Sequence, residues 1–291
     1  MKVFLTGGTG YLGSAVLAEL VRQGHDVVAH ARTEDSAKAL DDAGASPALG
    51  DLTDIEWMIT QVEPVDGVIS TASPGNRTNA EFESGLLDAV LPALARTDKP
   101  YVHTGGTWIH GSGRGITEQT PADPPPIVAW RPRVVERIRA AAKHGIRTSV
   151  VAPANVYGRA GGIPAKVVAG PIADGALLYP GVHQHFGNVF VDDIAALYVL
   201  ALTTAPAGSY LLGANEHSPA MDQIATAASR IRGLDGRIRP EPVEASRNRL
   251  GPIADAVFLD QQFDTTHARA LGWRPNGPSL LDEFTTGSYT L

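Results

Sequence analysis

A chain of 291 residues with 43% hydrophobic side chains can bury a sizeable core, and its length suits one doubly wound domain plus a smaller lobe. Lys and Arg number 24 against 31 Asp and Glu, so the net charge of −7 gives no electrostatic reason to expect nucleic acid or an anionic membrane as partner; small molecules are expected instead. The absence of cysteine excludes disulfides, thiolate metal sites and cysteine nucleophiles.

The first apolar run is too short for a secretory signal, and no stretch approaches the ~20 apolar residues of a membrane span, so a cytoplasmic protein is expected, as monomer or homodimer. Lys2–Thr6 reads as a strand. It runs into Gly7-Gly8-Thr9-Gly10-Tyr11-Leu12-Gly13, and Leu12, Val16, Leu17, Leu20 and Val21 then mark one apolar face of a helix ended by Gly24. Gly7 permits the tight turn, Gly10 lets backbone approach a pyrophosphate, and Gly13 lets the helix sit close to the sheet. The helix start points N–H groups at phosphate, so Gly7, Thr9, Gly10, Tyr11, Leu12 and Gly13 are the candidate phosphate-binding residues.

The second strand, Asp26–Ala31, ends in Ala29-His30-Ala31-Arg32 with no carboxylate before Glu34. An acidic residue there would accept from ribose hydroxyls, whereas Arg32 offers a planar fork for a 2′-phosphate, with His30 as a second donor; NADP(H) is the expected cofactor. Strand three, Ser46–Leu49, leads into Asp51 and Leu52, where Asp51 serves the adenine amino group, the N-cap of the next helix, or both. Strand four, Gly67–Thr71, ends in Thr71-Ala72-Ser73-Pro74-Gly75, small residues that leave room for a ligand. A helix follows from Ala80 to Arg96, and strands five and six read as Tyr101–Thr104 and Arg147–Ala152.

This alternation is the pattern of an α/β fold with a doubly wound parallel sheet. Gly111 to Pro126 is rich in glycine and proline and reads as a loop over the site. Beyond Gly158 the alternation weakens, with a short strand at Gly208–Leu212 and helices at Met221–Ile231 and Thr265–Leu271. The expected division is a dinucleotide-binding domain over 1–157 plus part of 188–215, and a small C-terminal α/β substrate lobe from 158–187 and 216–291.

Four segments fall in one order: Thr6 to Gly13, Asn155-Val156-Tyr157-Gly158, Asn188-Val189-Phe190-Val191-Asp192-Asp193-Ile194-Ala195, and Leu271-Gly272-Trp273-Arg274-Pro275. Together they resemble the extended short-chain dehydrogenase/reductase superfamily, the NAD-dependent epimerase/dehydratase group. The resemblance implies a Rossmann-type domain with nicotinamide and substrate meeting at the lobe, and Pro153, Asn155 and Val156 lying against the nicotinamide amide. That family places a serine or threonine after strand five and a tyrosine four residues before a lysine on the next helix. Here the serine position aligns with Gly106, the tyrosine with Ala129 and the lysine with Arg133, and the chain contains no Tyr-x-x-x-Lys. Alanine transfers no proton; Arg133 can hold ribose hydroxyls without acting as an acid. The resemblance is therefore to the atypical branch of the superfamily.

Thr104, Thr107, His110 and Tyr157 remain as candidates to polarise or protonate a substrate. His183 and His185 sit two apart, with a pocket role for one of them favoured over a metal pair, and no metal is expected. Asp192 and Asp193 are expected to cap a helix over Ile194–Leu202 and to order the lobe. The expectation is an NADPH-dependent oxidoreductase acting on a small carbonyl or related unsaturated substrate. The alternatives are a non-catalytic NADP-binding sensor or scaffold, and a sugar-nucleotide isomerase, the latter weakened because Lys166 is the only lysine in the lobe.

Overall fold

Strands buried on both faces need continuous apolar runs, and Val3-Phe4-Leu5 supplies one with no exposed surface. In the computed structural model, which describes residues 1–75, 78–181 and 183–290, this strand is an interior member of a seven-stranded parallel sheet. Its members are β1 (Lys2–Thr6), β2 (Asp26–Ala31), β3 (Ser46–Leu49), β4 (Gly67–Ser70), β5 (Pro100–Thr104), β6 (Arg147–Pro153) and β7 (Ser209–Gly213). They lie in the order β3-β2-β1-β4-β5-β6-β7, every neighbouring pair parallel. The order reverses between β1 and β4, which opens a crevice at their carboxyl ends.

The connecting helices are α1 (Tyr11–Arg22), α2 (Glu34–Asp42), α3 (Ile55–Val62), α4 (Asn79–Leu94) and α5 (Arg131–Ala140). Right-handed crossovers put α1 and α2 on one face and α3, α4 and α5 on the other. On the first face α1 packs against the helix Val191–Thr204; on the second α3 and α5 both pack against α4. A separate buried cluster gathers Tyr157, Phe186, Met221, Ile224, Phe284 and Tyr289. It is built around the helices Gly162–Val168 and Met221–Ile231 and a small sheet of Ile238–Pro240, Ala176–Tyr179 and Ile172–Ala173. Among the described residues no helix is long and apolar enough to cross a membrane.

Three local expectations need correcting. The segment from Gly111 to Pro126 is not all loop: Gly113–Ile116 forms a strand that pairs in parallel with Gln261–Phe263, a partner invisible to local pattern because it lies far along the chain. The N-cap of α3 is Asp54, whose side chain accepts from Trp57 N–H, whereas Asp51 closes a shorter turn on Thr53. Asp192 and Asp193 lie inside the first turn of Val191–Thr204 and cap nothing. Asp193 instead accepts from the N–H groups of Asn276 and Gly277, while its carbonyl accepts from Trp273 Nε1 at 2.8 Å, so two of the recognised motifs clasp one another.

Candidate functional site

The glycine loop is tight for reasons that can be measured. Gly7 has φ of +78°, and a Cβ there would stand 2.6 Å from Ala72 N. A Cβ on Gly13 would stand 2.0 Å from Gly7 O and 2.7 Å from Thr71 Oγ1, so the first turn of α1 rests directly on the loop. Gly8, not singled out in the sequence, would meet Leu40 at 2.9 Å. Gly10 donates to Gly7 O at 2.9 Å and precedes α1 with no side-chain cap, and a Cβ on it would meet Gly7 O alone, at 3.2 Å. The outer side of Gly10 and the leading N–H groups of α1 are thus left for an anion. Thr71 Oγ1 donates to Thr6 O at 2.7 Å, tying β4 to β1 at the crevice.

A cavity of about 580 Å³ runs from this loop along the carboxyl ends of the strands. Gly7, Thr9 and Gly10 line its middle, Thr71, Ala72, Ser73, Pro74 and Phe82 one side, and Arg32, Thr33, Ser36, Asp51 and Leu52 the far end. Arg32 is exposed beside the start of α2, where Thr33 and Ser36 cap one another. His30 also lines this end of the cavity, with its Nε2 engaged with Gly50 O at 2.9 Å and its ring packed edge-on against Trp57. Asp51 accepts from Thr53 N–H and Oγ1, both at 2.8 Å, through one oxygen, and these bonds hold its carboxyl below the usual range. Its second oxygen is free of that turn.

Several expected site residues lie outside this cavity wall. Tyr11 donates to Gly158 O at 2.8 Å, which fastens the start of α1 to the segment after β6. Leu12 and Gly13 lie in the first turn of α1, and Arg133 is exposed on α5. At the end of β6, Asn155 receives Trp108 Nε1 at 3.1 Å and donates to Gly187 O at 2.7 Å, linking Pro153, Asn155 and Val156 to both the β5 segment and the stretch around Gly187.

The catalytic candidates fare differently. Thr104 Oγ1 donates to Ser70 O at 2.7 Å and accepts from Tyr198 at 2.8 Å, so its hydroxyl joins β4, β5 and the helix Val191–Thr204. His110 is buried between Thr120 O and Tyr210 OH, both at 3.0 Å, and burial lowers its pKa. Tyr157 is fully buried, donating to Pro278 O at 2.6 Å and accepting from Asn215 at 2.8 Å, and burial raises its pKa. These three side chains hold the structure together and offer no free group to a substrate. Thr107 is 1% exposed, and its Oγ1 has no hydrogen-bond partner among the described residues.

Residues not singled out in the sequence form a buried chain beneath β5. Glu83 on α4 is 3% exposed and takes His103 Nε2 at 2.7 Å, while Tyr101 OH meets His103 Nδ1 at 2.8 Å. A carboxylate only accepts, so Nε2 carries the proton and Nδ1 accepts from the tyrosine. The second Glu83 oxygen is 3.4 Å from Arg131, whose guanidinium stacks on Trp130 and reaches the carbonyls of Thr104 and Gly105 at 3.3 and 3.4 Å. Arg131, two residues from the expected Arg133, is therefore the cation at the end of β5. Polar residues at alternate positions in a strand buried on both faces were the signal for this group. His183 and His185 share no ligand: His183 faces Asp222 at 3.2 Å and His185 faces Asp260 at 2.9 Å.

A family model described as "NAD dependent epimerase/dehydratase family" matches residues 3–213, and the chain belongs to that family. A Schizosaccharomyces pombe protein described as uncharacterized is 28% identical over 313 residues, covering 99% of this chain and 100% of its own. A 4-hydroxy-2-methyl-3-oxo-4-farnesyl-3,4-dihydroquinoline-1-oxide ketoreductase of Stigmatella aurantiaca is 29% identical over 171 residues, 54% of this chain and 51% of its own. Among solved structures, a UDP-glucose 4-epimerase of Thermotoga maritima with UDP-glucose superposes with a TM-score of 0.75 at 19% identity, covering 100% of this chain and 97% of the other, a likeness of fold.

Proposed function

We propose that this chain is an NADPH-dependent reductase of a small carbonyl or related unsaturated compound. The observation that carries the reading is the far end of the cavity, where Arg32 stands beside the start of α2 and no carboxylate ends β2. A guanidinium there pairs with a 2′-phosphate and has no role toward a bare ribose. The uncapped start of α1 and the open side of Gly10 fit a pyrophosphate, and Asp51 keeps one oxygen for the adenine. A bound dihydronicotinamide supplies the hydride; the protein has to orient the acceptor and furnish a proton. The partial likeness to a ketoreductase supports this reaction class.

Arg32→Ala should weaken NADPH by about 10–100-fold, the worth of a charge-assisted bond, while leaving NADH within about threefold. Fluorescence titration with the two nucleotides reads this directly, and an equal loss for both would refute the cofactor assignment. Turnover is read from NADPH absorbance against a panel of aldehydes, ketones and imines. The missing tyrosine and lysine support a second reading, an NADP-binding sensor, which binding without turnover on any of these would favour.

A further inference from the structure

With Thr104, His110 and Tyr157 committed to structural bonds, the proton for a reduced substrate needs another source, and the seam between the lobe and the β5 segment holds one. His185 Nδ1 lies 2.9 Å from Asp260 Oδ1, and the same oxygen accepts the His185 backbone N–H at 2.9 Å, so ring and chain are fixed by one carboxylate. Asp260 is anchored in turn: its N–H donates to Ser112 Oγ at 3.0 Å, and its carbonyl accepts Gly113 N–H at 2.8 Å. Burial alone would raise its pKa, but the His185 bonds and the nearby Arg114 outweigh burial and keep it ionised. A carboxylate accepting at Nδ1 directs the exchangeable ring function to Nε2, and among the described residues nothing holds that atom.

The location suits the task. Gln261, next to Asp260, donates to Thr107 O at 3.0 Å and Gly111 O at 2.7 Å and takes up His185 O through its own N–H. Gly187, two residues beyond His185, accepts Asn155, which in turn accepts from Trp108. His185 is thereby pinned beside the segments that follow β5 and β6, with its side chain 30% exposed, whereas His103 and His110 are buried.

We infer that His185, oriented by Asp260, is the acid that replaces the family's tyrosine; this rests on the reductase reading. As the substrate carbon gains hydride, the oxygen takes the π-electron pair and receives the proton from Nε2 of His185 in its doubly protonated form; the Nε2–H bond breaks, the O–H bond forms, the ring is left neutral with its Nδ1 proton hydrogen-bonded to Asp260, and solvent reprotonates Nε2. Asp260 acts through His185 and is a positioning residue.

Two measurements test this. His185→Gln should bind NADPH as wild type does but lose about 100-fold or more in kcat with KM within about threefold, and Asp260→Asn should lose about tenfold in kcat with the same KM pattern. Independently of turnover, diethyl pyrocarbonate should acylate His185 in the free protein. NADP⁺ together with the alcohol product, at ten times its Kd, should slow this about tenfold as read by peptide mass. A His185→Gln protein with wild-type kcat, or acylation indifferent to the ligands, overturns the dyad and leaves the reductase reading standing. A wild-type protein that binds NADPH and turns over no carbonyl overturns both.

Discussion

Gly13→Ala should lose dinucleotide binding and stability together, whereas Gly10→Ala should lose binding alone. The added methyl at Gly13 would stand 2.0 Å from Gly7 O and 2.7 Å from Thr71 Oγ1, and neither is the movable end of a long side chain. Relief requires α1 to lift from the loop, an overpacking cost of about 1–3 kcal/mol, and lifting displaces the N–H groups that would meet phosphate. At Gly10 the methyl meets only Gly7 O, at 3.2 Å, so the fold should tolerate it while the anion's approach is blocked. Thermal unfolding and NADPH titration of the two variants separate these effects. A Gly13→Ala protein that melts and binds like wild type would show that the loop opens more easily than its contacts imply.

Glu83→Ala should be the most destabilising single change in the buried chain beneath β5, by about 3–5 kcal/mol, because it leaves the His103 N–H and Arg131 without their shared acceptor. Burial pushes the Glu83 carboxyl up, but His103 and Arg131 outweigh it and hold the group below its ordinary value of 4.5. A carboxyl lowered in the folded state contributes stability that is fully present above that ordinary value and is lost as pH falls through the folded one. Wild-type protein should therefore weaken on acidification below about pH 5, and Glu83→Gln should show a shallower acid slope. Urea unfolding at pH 7, 5 and 4 reads both. Equal acid slopes in wild type and Glu83→Gln would mean that the carboxylate is not what acid removes.

The two results bear on function differently. Gly13 shapes the phosphate cradle itself, whereas Glu83 acts through Arg131 on the carbonyls of Thr104 and Gly105, the segment that would face a substrate. Loss at Glu83 should thus appear first in stability. In the proposed reductase the dyad at His185 is a separate unit, joined to the β5 segment through Gln261 rather than through Glu83.

The features legible in the amino-acid sequence are those written within a few residues: the strand-turn-helix around Gly7 to Gly13, six of the seven sheet strands, Arg32 after β2, and the absence of a Tyr-x-x-x-Lys, with Ala129 and Arg133 at the aligned positions. Each depends on a local spacing that a single turn or strand enforces. The tertiary structure decided which side chains were free. Thr104 looked available until Tyr198, 94 residues on, took its hydroxyl, and His110 until Tyr210 did the same. The pairing of Gly113–Ile116 with Gln261–Phe263, the clasp of Asp193 on Gly277, and the carboxylate 75 residues from His185 are likewise long-range. No local periodicity encodes such partners, because crossovers and the return of the chain from the lobe bring them together. A polar side chain near a site keeps its chemistry only if none of those returning segments satisfies it first.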